Sequence, residues 1–216
     1  MRKKAVVLLS GGIDSATTLY LAKSKKFSPV ALIFDYGQRH GKEVGFAKRI
    51  AKRAGCPYKV IRLPFSWKGS SLLDRSKRIP SGVAPGRKTG IPSTYVPARN
   101  LIFLSIATSF AESIKAGALF IGAHTQDYSG YPDCRKRFFD LFKKVITSGT
   151  KDGKHIRICA PLVNKNKKEI IKLGRRLKVP FNLTWSCYKG GRVPCGTCDS
   201  CCFRARAFKE LGISDE

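Results

Sequence analysis

KAVVLLSGGIDS, residues 4–15, passes from an unbroken apolar run through a glycine turn into the helical pattern ATTLYLAKSKK. An apolar run without polar alternation is what a strand buried on both faces of a parallel sheet requires. The two glycines let backbone come close to a ligand, and the helix start behind them aims free N–H groups at an anion. Working outward, PVALIFD (29–35) reads as a second buried strand, 43–54 as a second helix closed by Gly55, and 58–63 as a third strand. Strand, helix, strand, helix, strand implies right-handed crossovers and an α/β, doubly wound, mostly parallel sheet. The pattern then breaks over 64–96, rich in Ser, Gly, Pro and basic residues, where a functional loop or lid is expected. It resumes with a helix over 98–116, a strand over 118–122, a polar loop over 123–133 and a helix over 135–146. A short strand (156–159), a helix (167–177) and a final helix (203–211) complete the chain. The expected division is an α/β domain over 1–180 and a cysteine-rich helical extension over 181–216 packed on it.

The chain has 216 residues, 43% hydrophobic and 26% charged, enough to bury one sizeable core without disulfides. No apolar run approaches the ~18 residues of a membrane span, and Ala5 to Leu9 is too short for a secretory h-region. Membrane and secreted classes are therefore set aside. The net charge is +28, with 21 basic residues in 1–108 and 21 in 109–216, so the charge is spread and not gathered in a tail. Such a field attracts polyanions, nucleic acid included, but a solvated basic surface explains it equally well. Five of the eight cysteines fall between Cys187 and Cys202. Clustered pairs without a secretion signal point to metal and a reducing cytoplasm.

Ser10-Gly11-Gly12-Ile13-Asp14-Ser15 is neither a Walker A loop, since no Gly-Lys-Ser/Thr follows, nor the dinucleotide GxGxxG pattern. Its plainer reading is a helix cap made by Asp14 or Ser10. Placed after a buried first strand, the six residues resemble the pyrophosphate-binding PP-loop of the ATP pyrophosphatase superfamily, which implies ATP phosphates bound by this turn and Mg²⁺ accompanying the ATP. Cys187-x7-Cys195-x2-Cys198-x2-Cys201, followed by Cys202, offers four thiolates for tetrahedral zinc; a closed shell leaves no place for water, so the metal would be structural. Spacing alone leaves Cys201 and Cys202 interchangeable. The loop Asp127 to Arg135 should sit beyond the carboxyl end of a strand, where open α/β sheets bind ligands. Its tyrosines, carboxylates and arginine suit a planar heterocycle bearing a carboxylate; equally, Asp133 could cap the helix that follows.

SGGIDSATT, FDYGQRH (34–40), TYVPARNLIFLSIA (94–107), DYSGYPDCR (127–135) and TWSCYKGG with CGTCDSC (184–201) occur in order along nearly the whole chain. Together they resemble the 7-cyano-7-deazaguanine synthase (QueC) family. The resemblance implies a nucleotide α hydrolase-like PP-loop fold and a cytoplasmic homodimer. It also implies an ATP-dependent ligase that turns 7-carboxy-7-deazaguanine and free or partner-supplied ammonia into a nitrile through two adenylations. Carried onto this sequence, it gives ATP contacts to Leu8, Leu9, Ser10, Gly11, Gly12, Ile13, Asp14, Ser15, Ala16, Thr17 and Thr18. Phe34, Asp35, Tyr36 and Gln38 would border the adenosine, and Arg99 and Asn100 would meet the phosphates or the carboxylate. Lys167 would lie near the nucleotide; Asp14, Ser15, Arg99 and Lys167 form the implied catalytic set. Asp127, Tyr131, Asp133 and Arg135 would hold the deazaguanine, and Cys187, Cys195, Cys198 and Cys201 one zinc per chain. His40 could relay protons or be a plain surface histidine, and Cys134 receives no nucleophilic role. Three rivals remain open: a tRNA-modifying PP-loop enzyme, a family relative adenylating another carboxylate, and a zinc module binding nucleic acid on a dead nucleotide fold.

Overall fold

The computed structural model describes residues 3–81, 90–124 and 131–215. Five strands, β1 (Lys4–Leu8), β2 (Ser28–Asp35), β3 (Tyr58–Arg62), β4 (Ala118–Phe120) and β5 (Arg157–Cys159), form one sheet in the order β3-β2-β1-β4-β5. Every pairing is parallel, with Val6 opposite Val30 on one side and Leu119 on the other. The six α-helices are α1 (Ile13–Ser24), α2 (Lys42–Arg53), α3 (Arg99–Ser113), α4 (Lys136–Gly149), α5 (Lys167–Arg176) and α6 (Asp199–Glu210).

Strand periodicity divides the core in two. Ala5, Val7, Ile33 and Phe120 point to the face covered by α1, α2, α5 and α6, where Leu19, Ile50, Ile171 and Phe208 meet them. Val6, Leu8, Leu32 and Leu119 point to the other face, covered by Phe103 and Leu104 of α3 and Phe139 and Phe142 of α4. Because β1 is packed on both sides, Ala5, Val6 and Val7 are fully buried, which is why its sequence shows no alternation. The chain winds outward in both directions from β1 and β4, so these two strands open the crevice in which doubly wound sheets bind ligands.

The stretch from 64 onward differs from a free loop. Arg39 N–H donates to Leu72 O (2.8 Å) and Ser71 N–H to Ser93 O (2.8 Å), and Ser70, Ser71 and Leu72 are buried. Paired backbone with distant segments makes it a wall beside β2, and Ser81 bridges to Cys198. The C-terminal segment packs on the same body through Ala207 and Phe208 in the core and through Trp185 N–H donating to Gly11 O (2.9 Å). Among the described residues, no helix is long and apolar enough to cross a membrane.

Candidate active site

The turn after β1 is held by glycine and serine together. Gly11 has φ +92°, and a Cβ there would lie 2.5 Å from Glu43 O and 2.9 Å from Ala47 N. Only glycine lets the turn seat against the first turns of α2. Ser15 Oγ donates to Gly12 O (3.1 Å) and accepts from Ser10 N (3.2 Å) and Ser10 Oγ (3.1 Å), closing the loop at the start of α1. Gly12, the α1 N-cap, has no side chain to satisfy the first helical N–H groups, so they remain available to an anion.

Asp14 stands in that first turn. Lys167 Nζ donates to both its oxygens at 2.7 and 2.9 Å, and His124 Nε2 lies 3.4 Å from Oδ2. Burial works to raise the Asp14 carboxyl, but the charges and hydrogen bonds of Lys167 and His124 overcome it and hold the group well below the usual carboxylate range. Local sequence places both partners. Asn166 accepts from Glu169 N (2.8 Å) while Glu169 Oε2 accepts from Asn166 N (2.9 Å), a capping box that sets Lys167 at the first position of α5. His124 is brought in beyond β4 by Gly122, where a Cβ would lie 2.9 Å from Asp14 C and O.

A cavity of about 250 Å³ runs from this turn to a second group of residues: Tyr36, Arg99, Asn100, Tyr131 and Cys134. Arg99 Nη1 donates to Tyr36 Oη (3.2 Å). Burial opposes the Arg99 charge, yet Tyr36 and Tyr131 raise its pKa beyond the ordinary value, leaving a fixed cation inside the cavity. Burial pushes the Tyr36 phenol up, with Glu43 adding and Arg99 opposing. Asn100 N donates to Asp133 Oδ2 (2.9 Å), and Asn100 Nδ2 donates to Asp133 O (3.1 Å) and Cys134 Sγ (3.2 Å). Burial, then the Asp133 charge, push the Cys134 thiol up to about 12, which disfavours the thiolate that nucleophilic attack needs.

The expected residues divide between cavity and core. Leu8, Leu9, Ser10, Gly12, Ile13, Asp14 and Ser15 line the cavity with Phe34, Tyr36, Gln38, Arg99, Tyr131 and Lys167. Ala16, Thr17 and Thr18 are buried in α1 instead; Thr18 Oγ1 donates back to Asp14 O (2.9 Å), and a Cβ on Gly174 would come 3.0 Å from Thr17 Oγ1. Asp133 is not among the cavity residues: its carboxylate satisfies the start of α3, a helix with no acidic residue in its own first turn. Arg135 is the exposed N-cap of α4, and Asp127 lies outside the described residues. The sequence reading missed His124, although its place just past a strand end, like that of the glycine turn, was the available signal.

Near the cavity, the sulfurs of Cys187, Cys195, Cys198 and Cys201 all lie within 4.8 Å of one another. Cys195 N donates to Cys187 Sγ (3.4 Å) and Cys198 N to Cys195 Sγ (3.3 Å), bonds that favour thiolate. Gly196, at φ +70°, turns the chain between the paired ligands. Tetrahedral M–S bonds of about 2.3 Å place sulfurs roughly 3.8 Å apart, so the set fits one metal ion with a small contraction. Cys202 Sγ instead faces Gly196 O at 3.6 Å.

The sequence model described as "Queuosine biosynthesis protein QueC" matches residues 4–212. The chain belongs to the QueC family. It is 48% identical over 219 residues to the 7-cyano-7-deazaguanine synthase of Leptospira interrogans, covering 99% of this chain and 89% of that protein. The synthases of Thermoplasma acidophilum (48%, covering 99% of this chain and 91% of that one) and a Nostoc species (49%, 98% and 95%) are similarly close. Among solved structures, a 4-thiouridine synthetase in complex with RNA and ATP aligns with TM-score 0.52 at 19% identity, over 97% of this chain and 50% of that one. A predicted tRNA methyltransferase subunit from Methanocaldococcus jannaschii gives 0.51 at 18%, over 99% and 90%. At this identity both report the fold alone; the QueC members of bacteria and archaea carry the family.

Proposed function

We infer that the protein is a 7-cyano-7-deazaguanine synthase, an ATP-dependent carbon–nitrogen ligase supplying the queuosine or archaeosine precursor. The observation that carries this is one cavity joining the phosphate turn, with Asp14 and Lys167, to Arg99, Tyr131 and Cys134 of the family's own motifs. The substrate is 7-carboxy-7-deazaguanine. Its carboxylate oxygen is a poor leaving group until joined to phosphate, so it attacks the α-phosphorus of ATP and pyrophosphate departs. Ammonia then displaces AMP to give the amide. In a second round the amide oxygen is adenylated, and loss of AMP with the remaining N–H protons leaves the nitrile.

The chain's residues serve these steps by charge and exclusion of water. The free N–H groups of the first turn of α1 receive the pyrophosphate portion. Lys167, released from Asp14 when nucleotide enters, balances charge developing on the phosphate. Mg²⁺ accompanying ATP would neutralise phosphate charge, and the Asp14 carboxylate, ionised across the working range, is the group suited to it. Phe34, Tyr36 and Gln38 border the adenosine. Arg99, a buried cation on a rigid helix start, grips the substrate carboxylate, while Tyr131 and Asp127 recognise the deazaguanine. The four-cysteine set holds one structural zinc, and the protein acts in the reducing cytoplasm as a homodimer.

Incubation with Mg-ATP, ammonium and 7-carboxy-7-deazaguanine, followed by mass spectrometry, tests the assignment. Amide, nitrile and AMP should appear together. ATP binding without AMP release would refute it and direct the search to another carboxylate or to tRNA; a tRNA substrate would show itself by steep salt dependence.

A further inference from the structure

The cavity contains a buried basic group that the steps above do not use. His40 is 2% exposed and lines the cavity together with Glu43. Its Nε2 lies 3.1 Å from Glu43 Oε2. A carboxylate can only accept, so Nε2 carries the hydrogen, and in the neutral ring the lone pair is on Nδ1. That Nδ1 is buried and has no hydrogen-bond partner. A buried lone pair left unmatched costs stability, which calls for a proton donor that arrives with the reaction.

The position suits ammonia. Glu43 belongs to the first turn of α2, whose backbone touches Gly11 of the phosphate turn, so the pair borders the place where the acyl-adenylate forms. The ring is fixed on its other side by Tyr188, with centroids 5.8 Å apart, and by the Gly190 backbone, where a Cβ would come 3.1 Å from His40 Cα. Glu43 and Tyr188 are thus the titratable groups on the elements packed against it. Asp14 is engaged with Lys167, and the His124 ring is tied to both through Nε2, whereas His40 pairs only with Glu43 at the cavity wall.

We propose that His40 Nδ1 is the proton acceptor of the amide-forming step, with Glu43 as the positioning residue that fixes its tautomer. This rests on the reaction assigned above. The ammonia nitrogen bonds to the carbonyl carbon of the acyl-adenylate, and one N–H proton passes to Nδ1. The C–O bond to AMP breaks, and AMP leaves with its electron pair. The imidazolium, paired with Glu43, then returns the proton to water. The carboxylate–imidazole pairing is the arrangement by which proteins hold a general base in register.

The test separates adenylation from ammonia attack. His40→Gln keeps an amide N–H to donate to Glu43 but has no basic nitrogen, its amide oxygen accepting hydrogen bonds without taking up a proton near neutral pH. Hydroxylamine, a much weaker base than ammonia, gives an addition nitrogen acidic enough to lose its proton to water, so it traps the acyl-adenylate as a hydroxamate with little need of a general base and serves as the comparison nucleophile. The variant should form hydroxamate and pyrophosphate within about twofold of wild type, while amide formation from ammonium falls by about 10²–10⁴-fold. Should His40→Gln not fold, Glu43→Gln, which retains the ring, should show the same selective loss at about tenfold or more. Equal losses with both nucleophiles, or no loss with either, would overturn the role of His40. A wild-type protein that makes neither product would instead overturn the reaction itself, and this role with it.

Discussion

Truncation of Asp133 to alanine discriminates between a residue that holds substrate and one that holds the fold. In the structure its Oδ2 accepts from the Asn100 backbone N–H at 2.9 Å, and the residue is 7% exposed. Asp133→Ala leaves that buried N–H without a partner, at a cost of about 1–3 kcal/mol. It also removes a negative charge from the positive end of α3, worth roughly 0.3–1 kcal/mol. The sum, about 1.5–4 kcal/mol, corresponds to a fall in Tm of roughly 3–16 °C for a chain of this size. Asp133→Asn keeps an acceptor oxygen for the same N–H and should lose only the charge contribution, a Tm drop of about 1–4 °C. Thermal unfolding of the three proteins by circular dichroism gives the ordering directly. Titration of 7-carboxy-7-deazaguanine under native conditions gives the comparison with binding. If Asp133→Ala melts with wild type while its substrate affinity collapses, the capping argument is wrong and the carboxylate belongs to the substrate.

Further outcomes follow from the same contacts. Gly122→Ala drives a Cβ to within 2.9 Å of Asp14 backbone atoms; overpacking here should cost about 1–3 kcal/mol and sharply reduce AMP formation, and a fully active variant would contradict the close approach. Cys198→Ser should abolish metal content measured by atomic absorption and lower the yield of folded protein, whereas Cys202→Ser should leave metal content unchanged. With its thiol pushed up to about 12 by burial and by Asp133, Cys134 should resist iodoacetamide at pH 8 in native protein and react once unfolded, as peptide mapping will show. The same shift has a stability sign: above pH ~9 the unfolded thiol ionises while the folded one does not, so Cys134 withdraws stability as pH climbs from about 9 to 12.

The central strands β1, β2 and β4 were legible because they are buried and read as unbroken apolar runs, whereas the edge strands β3 and β5 are partly exposed and carry a weaker signal. Boundaries were less legible. The helix expected from residue 98 begins at Arg99 because Ala98 adopts φ +53° and donates its N–H to Tyr95 Oη. The last helix starts at Asp199, four residues before the apolar pattern suggests, since the clustered cysteines at its start hide the helical period. The glycine turn and the cysteine set are local motifs and could be found from spacing, whereas Lys167 came only with the family resemblance. Asp133 could not be assigned from spacing. A cap was expected on the helix that follows, but the carboxylate meets the start of a helix that begins 34 residues upstream, a pairing that only the folded chain creates.

The bond from Trp185 N–H to Gly11 O joins the segment leading into the four-cysteine set, two residues before Cys187, to the glycine turn proposed to receive nucleotide. A bond shared by the two segments is a path along which binding at one can favour binding at the other, and any such coupling in binding free energy is equal in both directions. Nucleotide should therefore slow the escape of metal to a chelator, and metal depletion should weaken nucleotide binding before the sheet itself melts. Four cysteines that lie outside the cavity lining would thereby set a condition on what happens within it.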